Sequence, residues 1–215
     1  MFTSTQRTRP YHHGDLPAAI LDAADRQVAV GGMEGLVARE IARTAGVSPA
    51  ALYRHFPDLE HLRAATSRRA RERLAARMIA ARDAVHAAPD PGVTARLRFR
   101  AIARAYLAFA VEEPGRFDAA FGRCAVKTAG VDDPDAWAVL GETLDELVAS
   151  GLLDPAQRAA APLVAWTSVH GLAVLLVKGA QPAGLTPEAA AETVMAGIEH
   201  ALHLATSPVS PEGSR

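Results

Sequence analysis

The sequence predicts an all-α protein, on three observations. Alanine and leucine dominate a chain of 215 residues that is 49% apolar but only 5% aromatic, a composition that favours helices over sheets. Apolar residues recur at helical spacing in segment after segment, and no stretch alternates as a strand does. The breaks carry helix punctuation: Gly at the ends, and Ser, Thr or Asp, often followed by Pro, at the starts.

Residues 1–13 are expected to form a flexible arm. Asp15 is placed to cap a first helix with Pro17 in its first turn, and Ile20, Leu21, Ala24, Val28 and Val30 give it an apolar face. "GGMEG", Gly31 to Gly35, stops it. The next stretch, "REIARTAGVSPAALYRHF" from Arg39 to Phe56, holds two short helices with only "GVS" between them. Ile41, Ala42 and Ala45 line the first, Gly46 reverses the chain, and Val47 plugs the corner. Ser48 caps the second, Pro49 sits where its missing N–H costs nothing, and Leu52 and Phe56 recur four apart. Stop, sharp turn and capped restart make a helix-turn-helix. So short a loop fixes a steep angle, and the second helix can project into a DNA major groove.

Pro57 and Asp58 open a long helix rich in Arg and Ala, expected to run to about His86, where "HAAPDPG" breaks it. Further helices follow. "VTARLRFRAIARAYLAFAVEE" turns Leu97, Ile102, Tyr106, Leu107 and Phe109 mostly inward. "PGRFDAAFGRCA" is short, and "DPDAWAVLGETLDELVASG" opens on an Asp-Pro cap. "DPAQRAAAPLVAWTSVHGLAVLLVKGA" reads as one long helix, apolar nearly all round, and "TPEAAAETVMAGIEHALHLA" starts on a Thr cap. The expected organisation is an arm (1–13), a three-helix helix-turn-helix domain (14–62), a connecting long helix (63–88), a larger helical ligand-binding and dimerisation domain (89–206) and a disordered tail (207–215).

The net charge of -1 conceals an asymmetry. Residues 1–82 carry +5 and residues 83–215 carry -6. A basic front suits an anionic partner, nucleic acid first. The single cysteine, Cys124, gives no intrachain disulfide and fits a reducing compartment. The apolar run "GLAVLLV" is too short to span a bilayer, and the N-terminal residues lack a signal-peptide core. A cytoplasmic protein without membrane contact is expected. An enzyme is not, because no Gly-rich phosphate loop, GxSxG or HExxH is present. No cofactor or metal is expected either: His200 and His203 have no carboxylate or cysteine partner in view.

"YHHGDLPAAILDAA" followed by "REIARTAGVSPAALYRHFPDLEHL" resembles the DNA-binding domain of TetR-family transcriptional repressors, over roughly Tyr11 to Leu62. "AWTSVHGLAVLLVKG" resembles the Trp-His-Gly C-terminal domain carried by one subgroup. The resemblance implies a homodimer on a palindromic operator in double-stranded DNA, released by a small-molecule effector. It places Ser48, Pro49, Ala50 and Ala51 at the groove, Ser48 as cap and hydrogen-bonding group, the alanines as apolar contacts. Tyr53 and His55 match phosphate-holding positions, with Arg54 as nearby cation. Two departures stand out. Val37 and Ala38 occupy the place of a usual Ser or Thr cap, and Leu59 that of a common lysine. Arg39 and Arg43, with Arg7 and Arg9 of the arm in the minor groove, are candidates to compensate. The arginines from Arg68 to Arg82 read as a solvated face, with pairs such as Arg68 and Glu72.

In the C-terminal half, Trp166 and His170 lie four apart on one helix face. Together with Phe99, Tyr106, Phe109, Phe121, Trp137 and Thr167 they are the expected lining of a mainly apolar effector cavity, against the alternative of a solid core. The alternatives for function are an activator of the same fold, or a helical protein-interaction module without specific DNA binding.

Overall fold

The computed structural model describes residues 16–122 and 136–204, and within them the chain folds into α-helices and no strand. In order these are α1 (Leu16–Gly31), α2 (Ala38–Ala45), α3 (Pro49–His55), α4 (Leu59–Asp83), α5 (Pro91–Glu112), α6 (Pro114–Phe121), α7 (Ala136–Ala149), α8 (Ala161–Val177) and α9 (Pro187–Ala201). The arm with Arg7 and Arg9, the Asp15 cap, Cys124, the Asp-Pro start expected for α7 and the tail lie outside the described residues.

Two apolar cores form. The first joins α1, α2, α3 and the start of α4 through Ile20, Val28, Ile41, Leu52, Phe56 and Leu62. The second fills the space between α4, α5, α7, α8 and α9, with Leu74, Phe99, Ile102, Leu144 and Leu172 among its members. Helix α6 belongs to both: Ala119 and Ala120 enter the first core and Phe117 the second.

Capping follows the local sequence. Asp58 accepts the His61 N–H at 2.8 Å, Asp90 the Gly92 N–H at 2.7 Å and Thr186 the Ala189 N–H at 3.2 Å, each satisfying a donor that the first turn leaves open. Asp90 sets the start of α5 at Pro91, earlier than the apolar pattern alone indicates.

Three expectations need correction. Val30 is 93% exposed, because two residues beyond buried Val28 a helix has turned by about 200°. Leu97 points outward for the same reason, two residues before buried Phe99. The segment from Asp154 to Ala180 is not one helix. Pro155 to Gln157 form a single 3-10 turn capped by Asp154, and α8 starts at Ala161. Pro162 explains the restart: it lacks the N–H that a helix interior requires and is accommodated in the first turn.

The arginines of α4 are not simply solvated. Arg69 reaches Asp22 of α1, Arg73 reaches Glu113 at 2.8 Å, Arg77 reaches Glu112 at 2.8 Å and Arg82 reaches Glu142 of α7 at 2.7 Å. Arg68 does pair with Glu72, at 3.6 Å. The long helix is thereby tied to elements of both cores.

Helix α6 is fastened to α1 more tightly still. Arg116 makes a two-pronged pair with Asp25, at 2.8 and 2.7 Å. Asp118 accepts the Met33 N–H at 2.9 Å. Between them Gly115 lies so close to α1 that a Cβ there would stand 2.1 Å from the Val28 carbonyl oxygen. Hydrogen bonding from Arg116 holds the Asp25 carboxyl below the usual carboxylate range, with the arginine charge adding to it.

Gly115→Ala should therefore cost about 1–3 kcal/mol of stability in denaturant melts, the ordinary toll of overpacking. Gly141→Ala is the control: its Cβ would meet only the end of Arg158 at 3.6 Å, so the better helix former should stabilise by up to about 1 kcal/mol. A neutral Gly115→Ala would show that α6 is not held against α1.

Asp25 also predicts a pH dependence. A carboxyl whose pKa is depressed by folding adds stability above its unfolded pKa, about 4, and that stability is lost as pH falls through the folded value. Asp25→Asn should lower the melting temperature at neutral pH and make the loss of stability below about pH 4 shallower. Parallel acid titrations of both proteins would contradict the pairing.

Candidate nucleic-acid interface and ligand pocket

The turn between α2 and α3 is built by Gly46, whose φ of 72° puts it in the left-handed region. The Val47 N–H reaches back to the Ala42 carbonyl at 2.9 Å, and Val47 packs on the first core. This closes α2 as a Schellman motif does and fixes the exit direction. Ser48 restarts the chain at once, its hydroxyl accepting the Ala51 N–H at 3.1 Å, with Pro49 in the first turn of α3. Leu52 and Phe56 anchor the inner face of α3.

What remains outward is one surface. Ser48, Pro49, Ala50, Tyr53, Arg54 and His55 are all exposed, and so is Arg39 of α2. Arg39 and Arg54 make no ion pair among the described residues, whereas Arg43 is engaged with Glu40 at 2.9 Å. Ala51 departs from expectation. It is buried, because Ala51 and Leu52 together form the face of α3 that meets the core. The uncapped start of α2 also has an unexpected remedy: the Val37 N–H donates to Gln27 Oε1 of α1 at 2.9 Å.

In the second core the structure gathers six rings. Tyr106 from α5, Phe117 and Phe121 from α6, Trp137 from α7, and Trp166 and His170 from α8 lie with centroids 5.3 to 6.3 Å from their neighbours. Tyr106 Oη and His170 Nδ1 share a hydrogen bond of 2.7 Å. Burial pushes the Tyr106 phenol far up and pulls the His170 imidazole down, so both rings are neutral near pH 7.

Beside this cluster is a void of about 30 Å³, bordered by Met78, Phe99, Ile102, Tyr106, Leu140 and Trp166. It is far below the several hundred Å³ that small-molecule sites usually offer (about 300–1,000 Å³). Five expected lining residues do not border it. Phe121 and His170 instead border a separate, more open cavity of about 310 Å³, together with Phe117, Asp118 and Lys178. Phe109 is fully buried beneath the Arg77 guanidinium, 5.7 Å from its centroid. Thr167 is exposed and returns its hydroxyl to the Leu163 carbonyl at 2.8 Å. Trp137 is 45% exposed and covers Trp166 from outside rather than facing the void.

The sequence places α6 but not its contacts with α1. Asp25 and Arg116 are 91 positions apart and Met33 and Asp118 are 85 apart, so no local spacing announces them. Among the described residues no three His, Cys, Asp or Glu converge as a metal set, and no helix is long and apolar enough to cross a membrane.

Known proteins share this architecture. Residues 20–66 match the family described as bacterial regulatory proteins, tetR family, and residues 99–200 match the tetracyclin repressor-like C-terminal domain. No curated protein sequence gives a match. Among solved structures, a protein of unknown function from Rhodococcus sp. RHA1 is 28% identical with a TM-score of 0.75, covering 91% of this chain and 99% of that one. A TetR family transcription regulator from Marinobacter aquaeolei VT8 is 21% identical with a TM-score of 0.63, over 87% of this chain and 95% of its own. A bacterial regulatory protein of the tetR family from Rhodococcus RHA1 is 20% identical with a TM-score of 0.60, over 89% and 99%. At such identities the last two speak for the fold. With a TetR-family domain built around the helix-turn-helix and a tetracyclin repressor-like domain behind it, the chain belongs to the TetR family of transcription regulators.

Proposed function

We propose that the protein is a ligand-responsive repressor that binds a palindromic operator as a homodimer. The observation that carries this reading is the outer face of α3. A helix capped by Ser48 and aimed by Gly46 presents Ser48, Pro49, Ala50, Tyr53, Arg54 and His55 together, with no carboxylate on the helix itself. Its N-terminal residues are small enough to approach base edges, where the Ala50 methyl suits a thymine methyl and the Ser48 hydroxyl suits a base or a phosphate. Tyr53, Arg54 and His55 supply donors toward the backbone. The reading divides the chain as the sequence does: helix-turn-helix over 14–62, connecting helix over 63–88, ligand and dimer domain over 89–206. It also keeps the likeness of residues 165–179 to the Trp-His-Gly subgroup.

The dimer surface proposed is the outer side of α8 and α9. Leu163, Thr167, Gly171 and Leu175 are exposed four residues apart along one stripe of α8. Ala189, Thr193, Ala196 and His200 are exposed on α9, which packs beside it. A Cβ added at Gly171 or Gly197 would touch nothing within 4 Å, so a second copy can approach closely at both. Two helices from each subunit would close a four-helix seam, and its two-fold symmetry would impose an inverted repeat on the operator. Val174 and Val194 are partly buried within the chain's own core. Charges at Leu163 and Leu175 are therefore the cleaner probes.

Two outcomes follow. In titrations of operator DNA from the flanks of the gene, Tyr53→Phe and Arg54→Ala should each weaken binding across sequences. Arg54→Ala should also make the dependence of log affinity on log salt shallower by about 1 for each phosphate no longer neutralised. Unchanged affinity in both variants would remove α3 from the DNA. Separately, the double variant L163R/L175R should sediment as a folded monomer at micromolar concentration, where the wild type sediments as a dimer. A monomeric wild type would refute the seam.

A further inference from the structure

Trp166 sits where a ligand would sit. Trp137 lies 5.3 Å from its ring, Tyr106 5.5 Å, Phe121 5.9 Å and His170 6.3 Å. Tyr106 and Phe121 meet it edge-on at 74° and 76°, and His170 lies almost parallel at 12°. The adjoining void is only about 30 Å³, against the roughly 300–1,000 Å³ of ordinary small-molecule sites. The void alone is too small for such a molecule, and the indole stands beside it.

The surroundings are also chemically selective. No charged side chain borders the void. Among the bordering side chains, the Tyr106 hydroxyl is engaged with His170 Nδ1 at 2.7 Å. Of the rings present, Phe99 and Phe109 are sealed in the core, and Tyr106 is tied to His170. Trp166 is only half-buried, with half-exposed Trp137 as its outer cover. Phe121 and His170 are half-buried too, but of these three rings Trp166 is the one that borders the void.

We propose that Trp166 is a built-in occupant of an aromatic box, and that the box takes an uncharged, flat aromatic molecule of about indole size that displaces it. The proposal rests on the ligand-responsive reading above and gives its ligand a chemical class. Ring edges and faces already arranged around an indole favour another aromatic over a saturated ring of the same shape. A carboxylate in the void would meet no bordering cation and would lose its hydration unpaired.

Three probes separate these terms: indane, its saturated counterpart hydrindane, and indane-5-carboxylate. The chain has two tryptophans, so Trp137→Phe leaves Trp166 as sole reporter, excited at the red edge of indole absorption, where the probes are transparent. Indane should bind saturably and shift the emission to longer wavelength as the indole moves into water. Hydrindane should bind about tenfold more weakly, the worth of one or two favourable ring pairs. The carboxylate should bind at least about a hundredfold more weakly. In the wild type, indane should raise the melting temperature and the carboxylate should not. The proposal is overturned if indane neither binds the variant nor stabilises the wild type, if it binds without a red shift, or if the carboxylate binds as tightly. Operator occupancy in the same titration tests the other reading. Red-shifted binding with the operator still held upholds the box and removes ligand-responsive repression.

Discussion

The close fit of α6 on α1 is the constraint on which the rest of the structure depends. At Gly115 the two backbones come nearer than any side chain allows. Arg116 and Asp118 then pin the contact from either side through Asp25 and the Met33 N–H. Without that joint, the helix-turn-helix unit would hang from the rest of the chain by α4 alone. With it, α1 is held at two places, since Arg69 of α4 also reaches Asp22. Partly buried ion pairs of this kind contribute more to geometry than to net stability, because desolvation offsets much of their attraction. The orientation of α3 is a consequence: α1 and α2 share its core, and Gly46 sets its angle.

The same short helix borders the aromatic cluster. Phe117 and Phe121 of α6 touch His170, and Phe121 touches Trp166, while Ala119 and Ala120 of α6 sit in the core of the DNA-binding unit. A helix of eight residues with one side in each core cannot shift on one side alone, since packed interiors transmit displacement rather than absorb it. Any molecule that rearranges the rings therefore has a mechanical path to α1. A path moves an equilibrium only if the ligand prefers one arrangement of the two units over the other.

Much of the fold is legible in the sequence because its signals are local. Glycine and proline punctuation, capping residues and helical periodicity locate each α-helix among the described residues, and "AGVSP" specifies the tight turn down to its cap. The misreadings are local too. Composition turns Val30 and Leu97 inward, although their angular positions oppose those of Val28 and Phe99. An apolar run that continues past Pro162 hides the break that the proline imposes. Ala51 groups with its exposed neighbours by size, although Leu52 beside it marks the inner face. The pairs that fasten α6 to α1 and tie α4 to α5 and α7 are beyond reach, because they join positions tens of residues apart and no spacing rule connects them. The aromatic cluster is half visible. Its members are recognisable as large rings on helices, but which rings meet is decided by how four separate helices pack.

The most direct measurement of the central claim, that two α3 helices read DNA as a symmetric pair, is selection of binding sites from random double-stranded DNA by the full-length protein. The expected result is enrichment of an inverted repeat whose half-site centres lie about one helical turn or a small multiple of it apart, about 34–36 Å per turn, bound by an even number of chains. Enrichment of an asymmetric site bound by a single chain, or no enrichment at low salt where phosphate contacts are strongest, would contradict it.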